Sequence, residues 1–552
     1  MGKDIYLLSA AETVLVFDNK GNKLFESGAV PGANALCRDS AGQVYLLSGK
    51  AEGKDASLLQ INRKEKALKG ICRNIPVGNL YAAEKDMLLI ADRNGLNCLD
   101  MRTGKAQPVL QWLDYGIAAE NLAGLTYMED GSLLFLINQE NGNGQKRVEA
   151  VRLSVSSEEK KETDKKELIL ATGPYQEPVL EAAVLAFNQS SEDCRVRLKR
   201  YGEEGGAEKM IMDILSGEIP DLIDLNYCPS ISACISKGIL ADLYPLLDKD
   251  DSLSREDLVA NALRMLEQDG KLYGMPRSFS LNTLMGRESD VGSDMGWTIE
   301  DVKLLLTDKP EGTYLISEAR QEAFHMLLWA GMESFIDWNA GICMFDSKEF
   351  IDLLELAVSL PDTPLYQSDN TEWAYTKISQ GKLLLQILNL YKVADYSGNA
   401  ALFGGAPVTC IGYPATEGIG AVMVMGNGLG IAEKSEQKED AWKFIRFLLK
   451  DEYQRQESGF PVVESVLERV MEESRGGIVD PDFEYIVQSV TQEEMKVVRS
   501  LIDQAVPVPH CFGSIYQLVE EEAAAYLTGQ KPVEEVAEII QNRVSIYMAE
   551  NR

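Results

Sequence analysis

Histidine is nearly absent from this sequence, which contains two, His325 and His510, among 552 residues. His325 stands in an apolar helical stretch beside Phe324 and Leu327, which favours a packed side chain. His510 precedes Cys511, but neighbours in sequence do not thereby face each other as base and nucleophile. Paired carboxylates of the glycosidase kind stay open, because an acidic chain offers many pairs and none stands out. We therefore predict no catalytic residue and no enzymatic activity.

Motifs for metals and phosphate are lacking as well. The nine cysteines are odd in number and form no CxxC pair, so neither a zinc site nor a disulfide framework is indicated. The glycine-rich stretches GGAPVTCIG and GNGLG lack the Lys-Ser/Thr ending of a phosphate-binding loop. No metal and no cofactor is predicted. The scattered thiols favour a reducing compartment, although an extracellular protein of an anaerobe would show the same pattern.

Long apolar runs and an excess of basic charge are also missing. No window holds the roughly 18 uninterrupted apolar residues of a membrane helix. Acidic residues outnumber basic ones 86 to 54, which gives a formal net charge of −32. Nucleic acid and anionic membrane surfaces would be repelled by this charge. We therefore expect a soluble chain with no nucleic-acid partner and with a neutral or cationic ligand.

The first residues, MGKDIYLL, show neither the charged n-region nor the apolar h-region of a signal peptide. Tyr6 occupies the position at which a myristoylation signal has Ser or Thr. The chain is therefore either cytoplasmic or an exported protein given without its export signal. Because the sequence begins almost inside a strand, we expect the second.

Residues 1–156 form a β-rich region, in which short apolar strands are predicted to alternate with turns such as DNKGN. A loosely repeated phrase recurs every ~40 residues, the spacing of four-stranded propeller blades. Its apolar anchors are Phe17, Ile61, Leu99 and Leu153. This predicts an all-β, propeller-like domain of about four units, the first of which lacks its opening strand. A small closed ring, an open stack and part of a longer array stay open as alternatives. We expect an interaction or spacer module.

Residues 157–166, SEEKKETDKK, include no apolar residue and predict a solvated linker. Beyond it, apolar strands alternate with amphipathic helices, the first of which has Pro178 in its first turn. This βαβαβ order predicts a parallel sheet. Ligands of such sheets bind at the carboxyl ends of the strands, which here are the loops 173–176 and 226–229.

Phrases further along resemble the extracellular solute-binding proteins of ABC importers. They include ILSGEIPDLIDL, GILADLYPLLD, DGKLYGMP, GWTIEDV, GNGLGIA, DAWKFIRFLLKDEYQ, GFPVVESV and YLTGQKPVEEVAEIIQNRV. No single phrase is diagnostic, but their order extends over residues 167–552. The likeness is greatest to the carbohydrate-binding group that includes maltose-binding protein. It implies an α/β, periplasmic-binding-protein-like fold whose two lobes hinge about a ligand.

By family topology, the chain crosses between the lobes three times. It leaves the first lobe within GKLYGMPRSFS at 270–280, returns near 426–430 and leaves again near 460–463. The resemblance thus implies that lobe I covers about 167–276 and 428–463, and that lobe II covers about 277–427 and 464–552. Arg277 to Ser280 are expected to line the lobe II side of the cleft.

Nine residues align with positions at which the family contacts its ligand. They are Pro174, Tyr175, Asn226, Tyr227, Phe279, Ser280, Trp373, Tyr391 and Tyr413. Aromatic rings that stack on pyranose faces, with polar groups that bind hydroxyls, suit a sugar. Ser280 stands where maltose-binding protein has an acid, and Tyr391 where a tryptophan often stands. The sequence therefore does not point to maltodextrin.

The resemblance implies an extracellular, cell-surface lipoprotein that serves an ABC transporter as its substrate-binding component. As a monomer, it would capture a small neutral solute, an oligosaccharide, by lobe closure and present it to a membrane permease. A second hypothesis is a surface sensor or scaffold, in which residues 1–156 bind a protein partner. A carbohydrate-active enzyme is the third hypothesis, which we rank last.

Overall fold

The computed structural model describes residues 4–550 except 40, 50–55, 85, 116, 118, 141–145, 155–164, 176, 203–204, 338–339, 366–373, 416–417, 477–489 and 509–512. Most of the predicted linker at 157–166 therefore lies outside the described residues. Contacts divide the chain into two compact units, Met1–Glu167 with Tyr175–Arg197, and Leu168–Pro174 with Leu198–Arg552. The first helix after the linker thus groups with the N-terminal β-rich region.

The N-terminal region forms four antiparallel meanders, which we call sheets N1 to N4. Sheet N1 contains β1 (Ile5–Leu8), β2 (Val14–Phe17) and β3 (Lys23–Glu26). Sheet N2 contains β4 (Ala33–Arg38), β5 (Val44–Ser48), β6 (Ala56–Asn62) and β7 (Ala67–Ile75). Sheet N3 contains β8 (Asn79–Ala82), β9 (Met87–Ala91), β10 (Gly95–Asp100) and β11 (Lys105–Gln111). Sheet N4 contains β12 (Leu122–Tyr127), β13 (Leu133–Glu140) and β14 (Lys146–Leu153).

Each N-terminal sheet packs against the next one along the chain. Successive side chains of a strand point to opposite faces, so β5 sends Val44 and Leu46 into the core shared with sheet N1. Its other face sends Tyr45 and Leu47 into the core shared with sheet N3. The middle sheets are therefore buried on both faces, which explains the unbroken apolar run VYLL.

The prediction that the first repeat lacks its opening strand is wrong. Strand β1 contacts β4 in the same way that β4 contacts β8 and β8 contacts β12, so β1 is the first strand of its sheet. Sheet N1 instead lacks a fourth strand, since the chain passes directly from β3 to β4. The anchor Phe17 accordingly lies on a second strand, whereas Ile61, Leu99 and Leu153 lie on third strands. In the described residues, the N-terminal region is a series of small antiparallel sheets.

The α/β region that follows contains two sheets, which we call sheet I and sheet II. Sheet I has the order β16-β15-β17-β27-β20. Its strands are β15 (Lys166–Thr172), β16 (Cys194–Arg200), β17 (Leu222–Asp224), β20 (Met275–Pro276) and β27 (Gly428–Ile431). Strands β15 and β17 are parallel, as predicted, whereas β27 runs antiparallel to both β17 and β20. Sheet I is therefore mixed.

Sheet II is built around the long strand β21 (Ser278–Arg287). The strands that pair with it are β24 (Leu385–Leu390), β25 (Val408–Cys410), β26 (Val422–Met425) and β28 (Phe460–Pro461), and β29 (Val506–Pro507) follows β26. Two small ribbons, β18 (Glu267–Gln268) with β19 (Lys271–Leu272) and β22 (Ile336–Asp337) with β23 (Ile342–Cys343), lie outside both sheets.

Seventeen α-helices are assigned within the described residues. They are α1 (Pro178–Ser190), α2 (Gly206–Ser216), α3 (Ile231–Ser236), α4 (Tyr244–Leu247), α5 (Ala260–Arg264), α6 (Glu288–Val291), α7 (Ile299–Thr307), α8 (Arg320–Gly331), α9 (Lys348–Ser359), α10 (Ala374–Ser379), α11 (Val393–Ala400), α12 (Lys438–Leu448), α13 (Asp451–Gln454), α14 (Glu464–Glu473), α15 (Gln492–Gln504), α16 (Gly513–Leu527) and α17 (Val533–Glu550). Helices α8, α9, α16 and α17 contribute the largest share of the core beside sheet II. No helix in the described ranges is long and apolar enough to cross a bilayer.

Candidate functional site

Polar side chains meet at the carboxyl ends of two parallel strands of sheet I. Thr172 ends β15 and donates a 2.8 Å hydrogen bond from Oγ1 to Oδ2 of Asp224, which ends β17. The other carboxylate oxygen accepts from the backbone N–H of Asn226 at 3.0 Å. Burial raises the pKa of the Asp224 carboxyl, and these hydrogen bonds oppose that rise. The group fixes the loop that starts with Asn226 at the edge where ligands of such sheets bind.

Tyr227 is held over glycine backbone at this edge. A Cβ on Gly173 would lie 2.7 Å from the Tyr227 ring, and a Cβ on Gly206 would collide with its hydroxyl. The hydroxyl donates to the backbone carbonyl of Gly202. The absence of side chains at these glycines thus lets the Tyr227 side chain approach the backbone after β15 and at the start of α2. The ring stays half-buried, with part of its surface open to solvent.

Asn226 joins this loop to the segment by which the chain returns from sheet II to sheet I. Its Nδ2 donates to the carbonyl of Gly426 at 2.5 Å, and its Oδ1 accepts from the N–H of Gly428 at 3.0 Å. Nevertheless the side chain is exposed. The residue therefore combines a structural role with accessibility at the junction of the two sheets.

The chain passes between sheets I and II three times, and the three crossing segments lie side by side. The first passes from β20 through Arg277 into β21, and the second from β26 through Gly426 and Asn427 into β27. The N–H of Arg277 donates to Asn427 O at 2.7 Å, and that of Gly426 donates to Ser278 O at 2.9 Å. The third leads from β27 through helices α12 and α13 to β28, which pairs with the start of β21. Val462 O then accepts from Val259 N in the sheet I part of the chain at 2.9 Å.

Buried polar side chains connect these crossings. The Arg277 guanidinium and the Glu457 carboxylate are 2% and 1% exposed, with Nε and Oε1 3.3 Å apart. The second carboxylate oxygen accepts from Asn427 Nδ2 at 2.8 Å. Gln454 donates to Arg277 O at 3.0 Å and accepts from Val462 N at 2.9 Å. Burial lowers the pKa of Arg277, while Glu457 opposes the shift. We call Arg277, Asn427, Gln454 and Glu457 the crossing network.

Two predicted ligand contacts lie inside this junction. Phe279 is fully buried and stacks on Phe460 with ring centroids 5.5 Å apart. Ser280 is also buried, and it pairs with Val424 where β21 pairs with β26. The side chains of Arg277 to Ser280, which we expected to line the lobe II side of the cleft, are all buried in this structure. Ligand binding by Phe279 and Ser280 stays a prediction that requires these side chains to become accessible.

The other predicted residues differ in their surroundings. Tyr391 is half exposed and follows Leu390, which pairs with Leu281 near the start of β21, so it lies at the end of sheet II beside the crossings. Tyr413 is 1% exposed in the core beside sheet II, and burial raises the pKa of its hydroxyl. Pro174 is half-buried after β15, and Tyr175 is exposed beyond it. Trp373 lies outside the described residues.

Sequence reasoning missed Thr172, Asp224 and the network partners of Arg277, whereas Arg277 itself was expected only to line the cleft. A signal exists for the first two, since each is the polar residue that ends an apolar strand. Glu457 and Gln454 show no such signal, because they lie in an acidic, helical stretch that resembles a solvated surface. Among the described side chains, no three His, Cys, Asp or Glu residues are grouped as ligands for a metal.

Two sheets joined by three adjacent crossings define a two-lobed binding fold of the hinge type. The sequence profile of the bacterial extracellular solute-binding proteins matches residues 182–469, just over half of the chain. The chain therefore belongs to this family. Its members bind solutes and are not enzymes, which confirms the prediction that this chain has no enzymatic activity. A comparison with curated proteins finds no significant match.

Solved structures support the same fold. The sugar-binding protein MalE from the phytopathogen Xanthomonas citri is 14% identical with a TM-score of 0.51, over 70% of this chain and 98% of that chain. A periplasmic oligogalacturonide-binding protein from Yersinia enterocolitica is 15% identical with a TM-score of 0.50, over 70% of this chain and 99% of that chain. The α/β periplasmic-binding-protein-like fold is thus confirmed.

Proposed function

We propose that this chain is the substrate-binding component of an ABC transporter and captures a small neutral oligosaccharide by closure of two lobes. The observation that carries the proposal is the set of three adjacent crossings, because such segments let two sheets rotate while their cores stay intact. The named structures of similar fold bind a sugar or an oligogalacturonide. A membrane permease as partner follows from the same proposal.

The proposed site lies where both sheets end at the crossings. Asn226 and Tyr227 are supplied by sheet I, and Tyr391 by sheet II. An accessible amide with two exposed or half-exposed phenol rings suits a ligand with hydroxyl groups and apolar ring faces. The net charge of −32 favours a neutral sugar over an acidic one. We therefore place neutral oligosaccharides ahead of uronates.

A thermal-shift screen of the full chain with neutral oligosaccharides, uronates, peptides and polyamines tests the proposal. A bound sugar at 100 times its Kd should raise the free energy of unfolding by about 2.7 kcal/mol. No shift with any member of the panel would contradict a transport role. A shift with uronates alone would contradict the choice of a neutral ligand.

Tyr391→Ala should then weaken sugar binding several-fold, because a stacking ring is lost. Tyr375 on helix α10 is a matched control, since it is 51% exposed against 50% for Tyr391. Tyr375→Ala should leave the affinity unchanged in calorimetry. Equal losses in both variants would show that the effect is not a loss of contact at the proposed site.

A surface sensor or scaffold is our second candidate. The observation that favours it is the array N1 to N4, which we propose to be propeller-like and to bind a protein. Its sheet N4 exposes Leu136 and Val148. If a cell-surface protein is captured by the full chain, Val148→Glu should weaken the capture. Unchanged capture by the variant would contradict binding through sheet N4.

A further inference from the structure

Two cysteines face each other at the candidate ligand loop 226–229, one of them within the loop. The sulfur atoms of Cys228 and Cys234 are 2.7 Å apart. Cys228 follows the 3-10 helix Leu225–Tyr227, and Cys234 lies in helix α3. In the described part of the chain, the other thiols with hydrogen-bonding partners contact serine or methionine side chains or backbone carbonyls instead. This pair is therefore set apart from the scattered cysteines of the sequence.

We propose that Cys228 and Cys234 are joined by a disulfide in the exported protein, and that the bond fixes the loop of Asn226 and Tyr227. The inference rests on the proposed function for the role of the loop, but not for the bond itself. An S–S bond of about 2.05 Å requires only a small approach of sulfurs that already face each other. Disulfides persist in extracellular compartments, which is where the family acts. The odd number and spacing of the cysteines indicated no disulfide framework, and the proposal adds one bond to that picture.

The oxidant is a disulfide, either a small molecule or a protein. The Cys228 thiolate attacks one sulfur of the oxidant and releases one thiol, which leaves a mixed disulfide. The Cys234 sulfur then attacks Cys228 Sγ and releases the second thiol. Two cysteine thiols and one oxidant disulfide thus become one protein disulfide and two free thiols, so that both protons and both electrons pass to the oxidant.

Exposure and hydrogen bonding assign the first attack to Cys228. Cys228 is partly accessible, whereas Cys234 is 2% exposed. The hydrogen bond between the two sulfurs lowers the pKa of Cys228, and the same contact together with burial raises the pKa of Cys234. The accessible sulfur is thus the better thiolate, and the buried sulfur is placed to resolve the mixed disulfide.

The bond would tie the ligand loop to a capped helix. Ser230 caps helix α3, with its Oγ accepting from Ala233 N at 3.2 Å. On the other side, Asn226 bonds the second crossing and Tyr227 bonds Gly202. Closing the short loop between the two sulfurs also restricts the unfolded chain. We therefore expect the oxidised protein to melt higher and its candidate loop to exchange amide hydrogens more slowly.

The test uses the full chain, equilibrated with oxidised or with reduced glutathione. Each sample is denatured, alkylated with N-ethylmaleimide and analysed by intact mass and peptide mapping. The oxidised sample should carry two fewer alkyl groups, with residues 228 and 234 linked, and should melt several degrees higher. Equal alkylation of both samples, a stable glutathione adduct on Cys228, or links to other cysteines would overturn the proposal.

Matched variants localise the effect. Cys228→Ser and Cys234→Ser should abolish both the difference of two alkyl groups and the melting shift between the samples. Cys410→Ser removes a buried thiol elsewhere and should keep both. If a variant fails to fold, the linked peptide of the wild-type chain still decides the question. Because thiol counts do not depend on a ligand, failure of the sugar screen and failure of this test are separate results.

Discussion

The N-terminal sheets and sheets I and II are built mostly from short strands. They differ in how far apart in the sequence the paired strands lie. In sheets N1 to N4, every neighbour in a sheet is also the neighbour in sequence. In sheet I, β27 lies between β17 and β20, and Asn226 bonds a carbonyl 200 residues away. Local pairing needs only short turns, whereas distant pairing must close long stretches of chain before its contacts form. The second arrangement also produces the crossings on which the proposed lobe closure depends.

The largest expected loss of stability is at the three crossings, which depend on pairing between distant parts of the chain. Glu457→Ala should lower the free energy of unfolding by about 3–5 kcal/mol, because it leaves the buried Arg277 guanidinium without its carboxylate. Denaturant titration measures the loss, and hydrogen exchange should localise it to the three crossings. Glu493→Ala, which breaks an exposed ion pair with Lys496, is the control and should change little. A small effect of Glu457→Ala would mean that the crossings do not depend on the network.

A loss of stability of similar size is expected in the N-terminal sheets, whose strands pair with their neighbours in sequence. The structural effect of this loss should stay within the mutated sheets. Phe135 is fully buried between sheets N3 and N4, so Phe135→Ala should cost about 3–5 kcal/mol. Hydrogen exchange should accelerate in those two sheets while sugar affinity is unchanged. Its neighbour Leu136 points to the opposite face and is 42% exposed, so Leu136→Ala should have little effect. Faster hydrogen exchange in sheet II as well would contradict the distinction between locally paired and distantly paired sheets.

A smaller effect is expected at the edge of sheet I. In Gly173→Ala, the new methyl group would displace the Tyr227 ring, at a cost of about 1–3 kcal/mol and with weaker sugar binding. Calorimetry and denaturation measure the two losses. At Gly202, an added Cβ meets nothing within 4 Å, so Gly202→Ala keeps the carbonyl that accepts from Tyr227 and should bind normally. Equal affinity of the two variants would remove Tyr227 from the site.

The smallest expected effect is a pH dependence of the free energy of unfolding that arises from Asp224. Burial raises the pKa of Asp224 above its unfolded value of about 3.9, so its contribution to stability is fully present below that value. The contribution is lost as pH rises through the raised pKa of the folded state. Asp224→Asn removes this decline. The free energy of unfolding of the variant relative to wild type should therefore increase with pH across that window, as measured by urea titration. A flat difference would show that the carboxyl titrates normally.

Much of the fold could be predicted because its patterns are local. The β-rich repeats, the strand–helix alternation after the linker and the proline at the start of α1 all follow from neighbouring residues. The predicted missing strand was wrong, since a repeated phrase fixes strand spacing but not which strand of a sheet carries it. The candidate loop at 226–229 followed from the rule that ligands bind at strand ends. The roles of Phe279 and Tyr413 did not, because accessibility depends on packing by distant segments.

By itself, the sequence pointed to the class of protein, since ordered phrases resemble solute-binding proteins, and the scarcity of histidine and the net charge of −32 argued against catalysis and nucleic-acid binding. Only the tertiary structure decided which residues share the junction. Arg277, Asn427 and Glu457 lie far apart in the chain and meet because the three crossings are packed together. The facing thiols of Cys228 and Cys234 likewise depend on how helix α3 turns back beside the loop. Such contacts are fixed by three-dimensional packing, for which a one-dimensional pattern contains no direct signal.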